Sequence, residues 1–194
     1  MKIVLASQSP PRAQLQWKMA LELTTQSPEI DESAFHGRDA RDLVETLSRE
    51  KARWVARQQT PDTLVIGADT VVVLDGAILG KPRDWAEAEA MLAALSGRDH
   101  QVFTGVTLCQ GDRILTQAEE TQVTFRPLTG QEIRQYVSTG EPMDKAGAYG
   151  IQGLGGLLVE GIRGDYHNVM GLPICRLGRM LLNFGVDCLA LAGR

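Results

Sequence analysis

The sequence predicts an α/β protein with a mixed β-sheet and flanking helices, and three patterns carry that expectation. Helical and strand-like stretches interleave along the chain. KIVLA at 2–6 reads as an apolar strand that runs straight into a helix start. By contrast, VFTGVTLCQGDRILTQAEETQVTF at 102–125 reads as a long antiparallel hairpin, so the sheet should be mixed rather than purely parallel. At 194 residues the chain is long enough for one domain with a full hydrophobic core and short for two independent ones, so a single domain over 1–194 is expected. No repeat at a solenoid period stands out.

After KIVLA, Ser9 suits a helix N-cap and Pro10 a first helical residue, because the N–H that proline lacks would have had no helical partner. RDARDLVETLSREKARWVARQ at 38–58 has helical periodicity, with Val44, Leu47, Trp54 and Val55 as its apolar stripe. TLVIGADTVVVLDG at 63–76 is a strand that ends in an Asp75-Gly76 turn. DWAEAEAMLAALSG at 84–97 is a helix closed by glycine, and TGQEIRQYVSTG at 129–140 a shorter one. HQVFTGVTLC at 100–109 and ILTQAEETQVTF at 114–125 are the two arms of the hairpin, turning at Gly111-Asp112. GLLVEGI at 156–162 is a further strand before Gly164-Asp165. GLPICRLGRMLLNFG at 171–185 is a helix with Pro173 in its first turn and Gly185 as its stop.

Composition narrows the function. A chain 43% hydrophobic and 23% charged is that of a soluble globular protein with no disordered tail. Its net charge of -4 gives no field to hold a polyanion, which argues against nucleic acid and for a small anionic ligand held by locally focused basic groups. Cys109, Cys175 and Cys188 form no C-x-x-C pair, so neither a disulfide framework nor a zinc site is indicated. The apolar runs fall well short of the roughly 20 residues of a membrane span. The N-terminus is strand-like where a signal peptide would have an apolar h-region. A cytoplasmic protein without membrane partners is expected.

Several residues sit where ordinary patterning would not put them. In ASQSPPR at 6–12 an anion could be held by serine hydroxyls, the amides of Arg12 and Ala13 and the Arg12 guanidinium, although the stretch taken alone reads more readily as an ordinary capped helix with a surface arginine. Lys51, four on from Leu47 and four before Val55, falls inside the apolar stripe, where a lysine either snorkels or meets an anion. Asp69 interrupts a run of strand formers. It marks either a bend at Gly67 or a working carboxylate that binds a metal or activates water, the second being favoured because core strand follows at once. Lys81 precedes Pro82 at an element end, suited to a phosphate or simply solvated. DKAGAYGIQGLGG places glycines at 147, 150, 153, 155 and 156, permitting close approach of a flat ligand or forming an irregular loop, and Gln152 supplies an amide able to read a base edge.

Taken together, ASQSPPR, EKA at 50–52, GADT at 67–70, GKPRD at 80–84, DKAGAYGIQG at 144–153 and GDYHNVMGLP at 164–173 resemble the Maf family of nucleoside triphosphate pyrophosphatases, in order and over nearly the whole chain. The resemblance implies two lobes around a deep central cleft, a fold similar to that of inosine triphosphate pyrophosphatases, and a homodimer. It implies cleavage of a nucleoside triphosphate between the α and β phosphates, giving monophosphate and pyrophosphate with a divalent metal, Mg or Mn. On this resemblance Asp69 accepts the proton of the attacking water and binds the metal with Glu32 of PEIDES, while Ser7, Arg12, Lys51 and Lys81 grip the triphosphate. Thr70 and Gln152 match the branch acting on dTTP and UTP; the branch acting on 7-methyl-GTP typically has Gln and Glu there. At the third specificity position Pro11 departs from both branches, which have a second arginine and an aromatic respectively. The alternatives are therefore a 7-methyl-GTP pyrophosphatase, or a nucleotide-binding division regulator with little catalysis.

Overall fold

The computed structural model describes residues 1–193. Its elements in chain order are β1 (Ile3–Ala6), α1 (Pro10–Leu15), β2 (Thr24–Thr25), α2 (Ala40–Ala56), β3 (Leu64–Leu74), β4 (Ala77–Leu79) and α3 (Trp85–Leu95). There follow β5 (Asp99–Gln110), β6 (Arg113–Phe125), α4 (Gly130–Ser138), β7 (Val159–Arg163), α5 (Tyr166–Val169), α6 (Ile174–Leu182) and α7 (Cys188–Ala192). The strands form a sheet in the order β2-β1-β3-β5-β6-β7, with β4 paired to β3 off that path. β1 runs parallel to β2 and β3, whereas β3 with β4 and β6 with β7 are antiparallel. The mixed sheet expected from the sequence is present. No helix of the described residues is long and apolar enough to cross a membrane.

The chain divides into two compact units. The first holds Met1–Asp69, Thr104–Glu119 and the segment from Gly171 onward. Its β1 is buried along its whole length, and Val4, Ala6 and Val65 pack with Ala52 and Val55 of α2. Helix α2 lies very close to the strands because two glycines admit it. A Cβ at Gly67 of β3 would stand 2.2 Å from the Ser48 carbonyl oxygen, and one at Gly105 of β5 would stand 2.1 Å from the Val44 carbonyl oxygen. Ser48, a buried residue of that helix, is satisfied by its own turn, at the Glu45 carbonyl, and by the Thr107 hydroxyl at 2.9 Å.

The second unit holds Thr70–Phe103 and Glu120–Met170. Its core gathers Leu92 and Leu95 of α3, Val123 and Phe125 of β6, and Ile133, Tyr136 and Val137 of α4 around Val72. Asp84 caps α3 by accepting from the Glu87 N–H, and Thr129 with Glu132 forms a capping box on α4.

The structure differs from the sequence reading in places. Leu154–Leu158 winds as a 3-10 helix, so the strand read from 156 begins only at Val159. Pro173 stands at the N-cap of α6 with ψ 91, and the Leu177 N–H closes the first helical bond on its carbonyl. The short β2, β4, α5 and α7 carried too few residues for a period to register.

Candidate active site

Ser7, Pro11, Arg12, Glu32, Lys51 and Asp69 lie in the first unit, and Thr70, Lys81 and Gln152 in the second. In the first unit the arrangement follows from the close seat of α2. Asp69 is two residues on from Gly67 in β3 and so faces the same side of the sheet, the side over which α2 lies. Lys51 of α2 therefore meets it: Nζ donates to Asp69 Oδ1 at 2.5 Å. The same ammonium stands 2.7 Å from Glu32 Oε1, which arrives on a short 3-10 turn, Glu32–Ala34, capped by Asp31. The Lys51 and Asp69 side chains are each only 9% exposed, whereas Glu32 is 57% exposed. Between snorkelling and meeting an anion, Lys51 does the latter. Burial pushes the Asp69 carboxyl above its usual pKa, against Lys51 and Arg12, which pull it down.

Arg12 projects from α1 and donates its Nε to the Gly171 carbonyl at 2.7 Å. Burial lowers its pKa, while the charges of Asp69 and Glu32 oppose that, so the guanidinium belongs to the same electrostatic cluster. Upstream, β1 leaves the sheet at Ser7, a buried residue whose Oγ accepts from the Ser9 N–H at 3.1 Å. The Ala13 amide, read from sequence as open to an anion, donates instead to the Ser9 carbonyl at 3.1 Å, because α1 closes its first turn there. Pro11 is half-buried in α1.

Two carboxylates converging on one cation are a hard, oxygen-only donor set. Among the described residues no group of three or more His, Cys, Asp or Glu could hold a metal by itself. The pair fits an ion such as Mg²⁺, which takes one or two carboxylates and completes its shell with phosphate oxygens and water.

In the second unit Thr70 follows Asp69 on β3 and is half-buried, and Lys81 is exposed in the loop between β4 and α3. Gln152 is half-buried in the glycine-rich segment, and its amide nitrogen lies 3.5 Å from where a Cβ on Gly150 would be. Those glycines make room chiefly for the protein itself. A Cβ at Gly153 would meet Glu141 Oε2 at 2.5 Å, one at Gly155 the Tyr136 hydroxyl at 2.7 Å, and one at Gly147 the Val72 side chain at 2.9 Å. Tyr136 and Glu141, which hold this segment, were missed from sequence. Tyr136 reads only as a core position three on from Ile133, and Glu141 as one more loop carboxylate.

The GDYHNVMGLP stretch is a fastening. Asp165 caps α5 by accepting from the N–H groups of His167 and Asn168. Thr121 binds the Asp165 backbone at both its N–H and its carbonyl, and Asn168 donates to the Val102 carbonyl.

The family model described as Maf-like protein matches residues 2–184. The dTTP/UTP pyrophosphatase of Symbiobacterium thermophilum is 52% identical over 95% of this chain and 94% of its own. The dTTP/UTP pyrophosphatase of Moorella thermoacetica is 53% identical over 96% of each chain. Among solved structures the Staphylococcus aureus Ham1 protein aligns with TM-score 0.45 and 16% identity, over 64% of this chain and 72% of that one. The chain belongs to the Maf family.

Proposed function

We propose that this protein is a nucleoside triphosphate pyrophosphatase that hydrolyses dTTP and UTP, and modified pyrimidine triphosphates, to the monophosphate and pyrophosphate. The observation that carries the reading is the buried Asp69 carboxylate held at 2.5 Å by the Lys51 ammonium, with Glu32 on the same ammonium and Arg12 in the same field. Relatives above 50% identity over nearly their full length bear that activity in their names.

Asp69 is a carboxylate whose proton affinity burial has raised, which suits a group that must take a proton near neutral pH. It accepts the proton of a water whose oxygen adds to the α-phosphorus, while the bond from that phosphorus to the α–β bridging oxygen breaks and pyrophosphate leaves with its electrons. Lys51 stands beside this base and is drawn to the triphosphate as it enters, so it passes from balancing two carboxylates to balancing phosphate charge. Arg12 is fixed in orientation by its bond to Gly171, which suits it to meet phosphate with the planar end of the guanidinium. Ser7 and Lys81 keep their triphosphate roles in this reading, and Thr70 and Gln152 the recognition of the base. A bound Mg²⁺ or Mn²⁺, held by Asp69 and Glu32, would neutralise phosphate charge and lower the pKa of water. The proposal extends to a cytoplasmic homodimer in which 1–194 is one Maf-like domain.

Pro11 favours a second reading, a preference for 7-methyl-GTP, because this chain has no second arginine at that specificity position. Pyrophosphate release over a nucleotide panel with Mg²⁺ or Mn²⁺ decides. Turnover of dTTP and UTP ahead of 7-methyl-GTP is expected, and failure to turn over any pyrimidine triphosphate overturns the proposal. Asp69→Asn should lower kcat by about 10²–10⁴-fold while nucleotide still binds, the loss expected on removing a general base. A nucleotide-binding regulator without catalysis would have no turnover to lose.

A further inference from the structure

The segment that carries Gln152 is not held by its own secondary structure, yet it is clamped on both sides of that residue. Glu141 uses both carboxylate oxygens: Oε1 accepts from the Tyr136 hydroxyl at 2.8 Å and from the Gly155 N–H at 2.9 Å, and Oε2 accepts from the Leu154 N–H at 2.9 Å. The Tyr136 hydroxyl in turn accepts from the Gly150 N–H at 3.1 Å. Between these anchors the Gly153 N–H closes a turn on the Gly150 carbonyl at 3.1 Å, with Gln152 inside it. Gln152 is not swung out from this turn. Its amide lies over Gly150, with Nε2 at 3.5 Å and Oε1 at 3.6 Å from the place of a Gly150 Cβ, beside the Lys145 side chain. Gly150 is thus fixed by Tyr136, and the amide rests on Gly150.

We propose that Tyr136 and Glu141 are positioning residues for base selection: through Gly150, Leu154 and Gly155 they fix where Gln152 presents its amide. This rests on the reading above in which Gln152 recognises the pyrimidine. The glycines at 153 and 155 support it, since any side chain there would collide with Glu141 or Tyr136 and open the clamp. Burial raises the pKa of Tyr136, so its hydroxyl keeps its proton for Glu141 at any working pH. Burial works to raise Glu141, but the bonds from Gly155, Tyr136 and Leu154 hold it below its ordinary value, as an acceptor of three N–H and O–H donors.

A simple structural role would lower activity toward every nucleotide alike; a positioning role would not. In Tyr136→Phe the Gly150 N–H loses its acceptor while the apolar ring stays in place. The ratio of kcat/KM for dTTP over CTP should fall about tenfold, the worth of roughly one hydrogen bond. The fall should come through KM, with kcat for dTTP within about twofold of the wild type. Glu141→Gln, which replaces one of the two acceptor oxygens with an NH₂ that cannot accept from the donor facing it, should act in the same direction and serves where Tyr136→Phe is poorly folded. The deciding measurement is a double-mutant cycle. In a Gln152→Ala background Tyr136→Phe or Glu141→Gln should leave the dTTP to CTP ratio where Gln152→Ala alone puts it, because there is no amide left to misplace. Equal proportional losses for both nucleotides, or effects that add in the Gln152→Ala background, overturn the inference while leaving the proposed activity intact. Wild-type protein that turns over no pyrimidine triphosphate overturns that activity, and this inference with it.

Discussion

A lysine in the apolar stripe of a helix has to place its charge somewhere, and Lys51 places it between two carboxylates. For Asp69 the ammonium is what makes burial tolerable: desolvation raises its pKa, and Lys51 is the largest opposing influence. Lys51→Met should therefore lower stability at pH 7 by about 2–4 kcal/mol, as leaving a buried charge unpaired does, less what is recovered when the carboxyl takes a proton. The sign of its pH dependence follows. With the folded-state pKa of Asp69 above the unfolded value, the unfolded chain gives up that proton first as pH rises, so stability is present at low pH and lost on the way up. Urea unfolding of Lys51→Met should accordingly show a larger deficit against the wild type at pH 8 than at pH 5. Lys51→Met/Asp69→Asn should recover most of it. A deficit that is the same at both pH values would mean that Lys51 matters for packing rather than for charge.

Among the elements, α2 determines whether that pair can form, and Gly67 determines how α2 sits. Gly67→Ala drives a Cβ to 2.2 Å from the Ser48 carbonyl and 2.9 Å from the Ala52 side chain, so the helix must lift and carry Lys51 with it. A loss of about 1–3 kcal/mol or more is expected in thermal or denaturant unfolding, with activity falling further than stability does. Gly178→Ala in α6 is the matched control, since a Cβ there meets nothing within 4 Å; it should be neutral or stabilising by up to about 1 kcal/mol. If the two substitutions cost the same, the close seat of α2 is not what Gly67 provides. Elements such as α2 were legible from sequence because a long helix repeats its apolar stripe often enough to be read. β2, with two exposed residues, and the 3-10 turn that delivers Glu32 offer no period at all. Gly67 read from sequence as a bend in its strand and Gly105 carried no signal, and only the helix above them gives the reason for both.

At the scale of the whole molecule, what sequence revealed of the site were its conflicts with patterning: a lysine in an apolar stripe and an aspartate in a strand. Residues without a conflict stayed hidden. Tyr136 fits its helix as a core aromatic, and the partner that gives it a further role, Glu141, lies beyond a turn. His100 is hidden in the same way. It is 1% exposed, set edge-on to Phe125 and Tyr149, with Nε2 at 2.8 Å from the Tyr149 hydroxyl and Nδ1 without a hydrogen-bond partner. Burial lowers its pKa to about 4, only weakly opposed by Asp99, so it is neutral in the folded protein. Its folded-state pKa lies below the unfolded one, so the unfolded chain takes up the proton first as pH falls. Stability from this group is whole above pH 6.5, drains away between about 6.5 and 4, and changes no further below that. The span corresponds to roughly 3 kcal/mol. Chemical unfolding at intervals from pH 7 to pH 4 should show that decline in the wild type and a much flatter profile in His100→Leu, which has no proton to gain. The variant gives up the bond to Tyr149 and so should start lower at pH 7, then meet or overtake the wild type near pH 4. Two parallel declines would assign acid sensitivity to the carboxylates and not to His100.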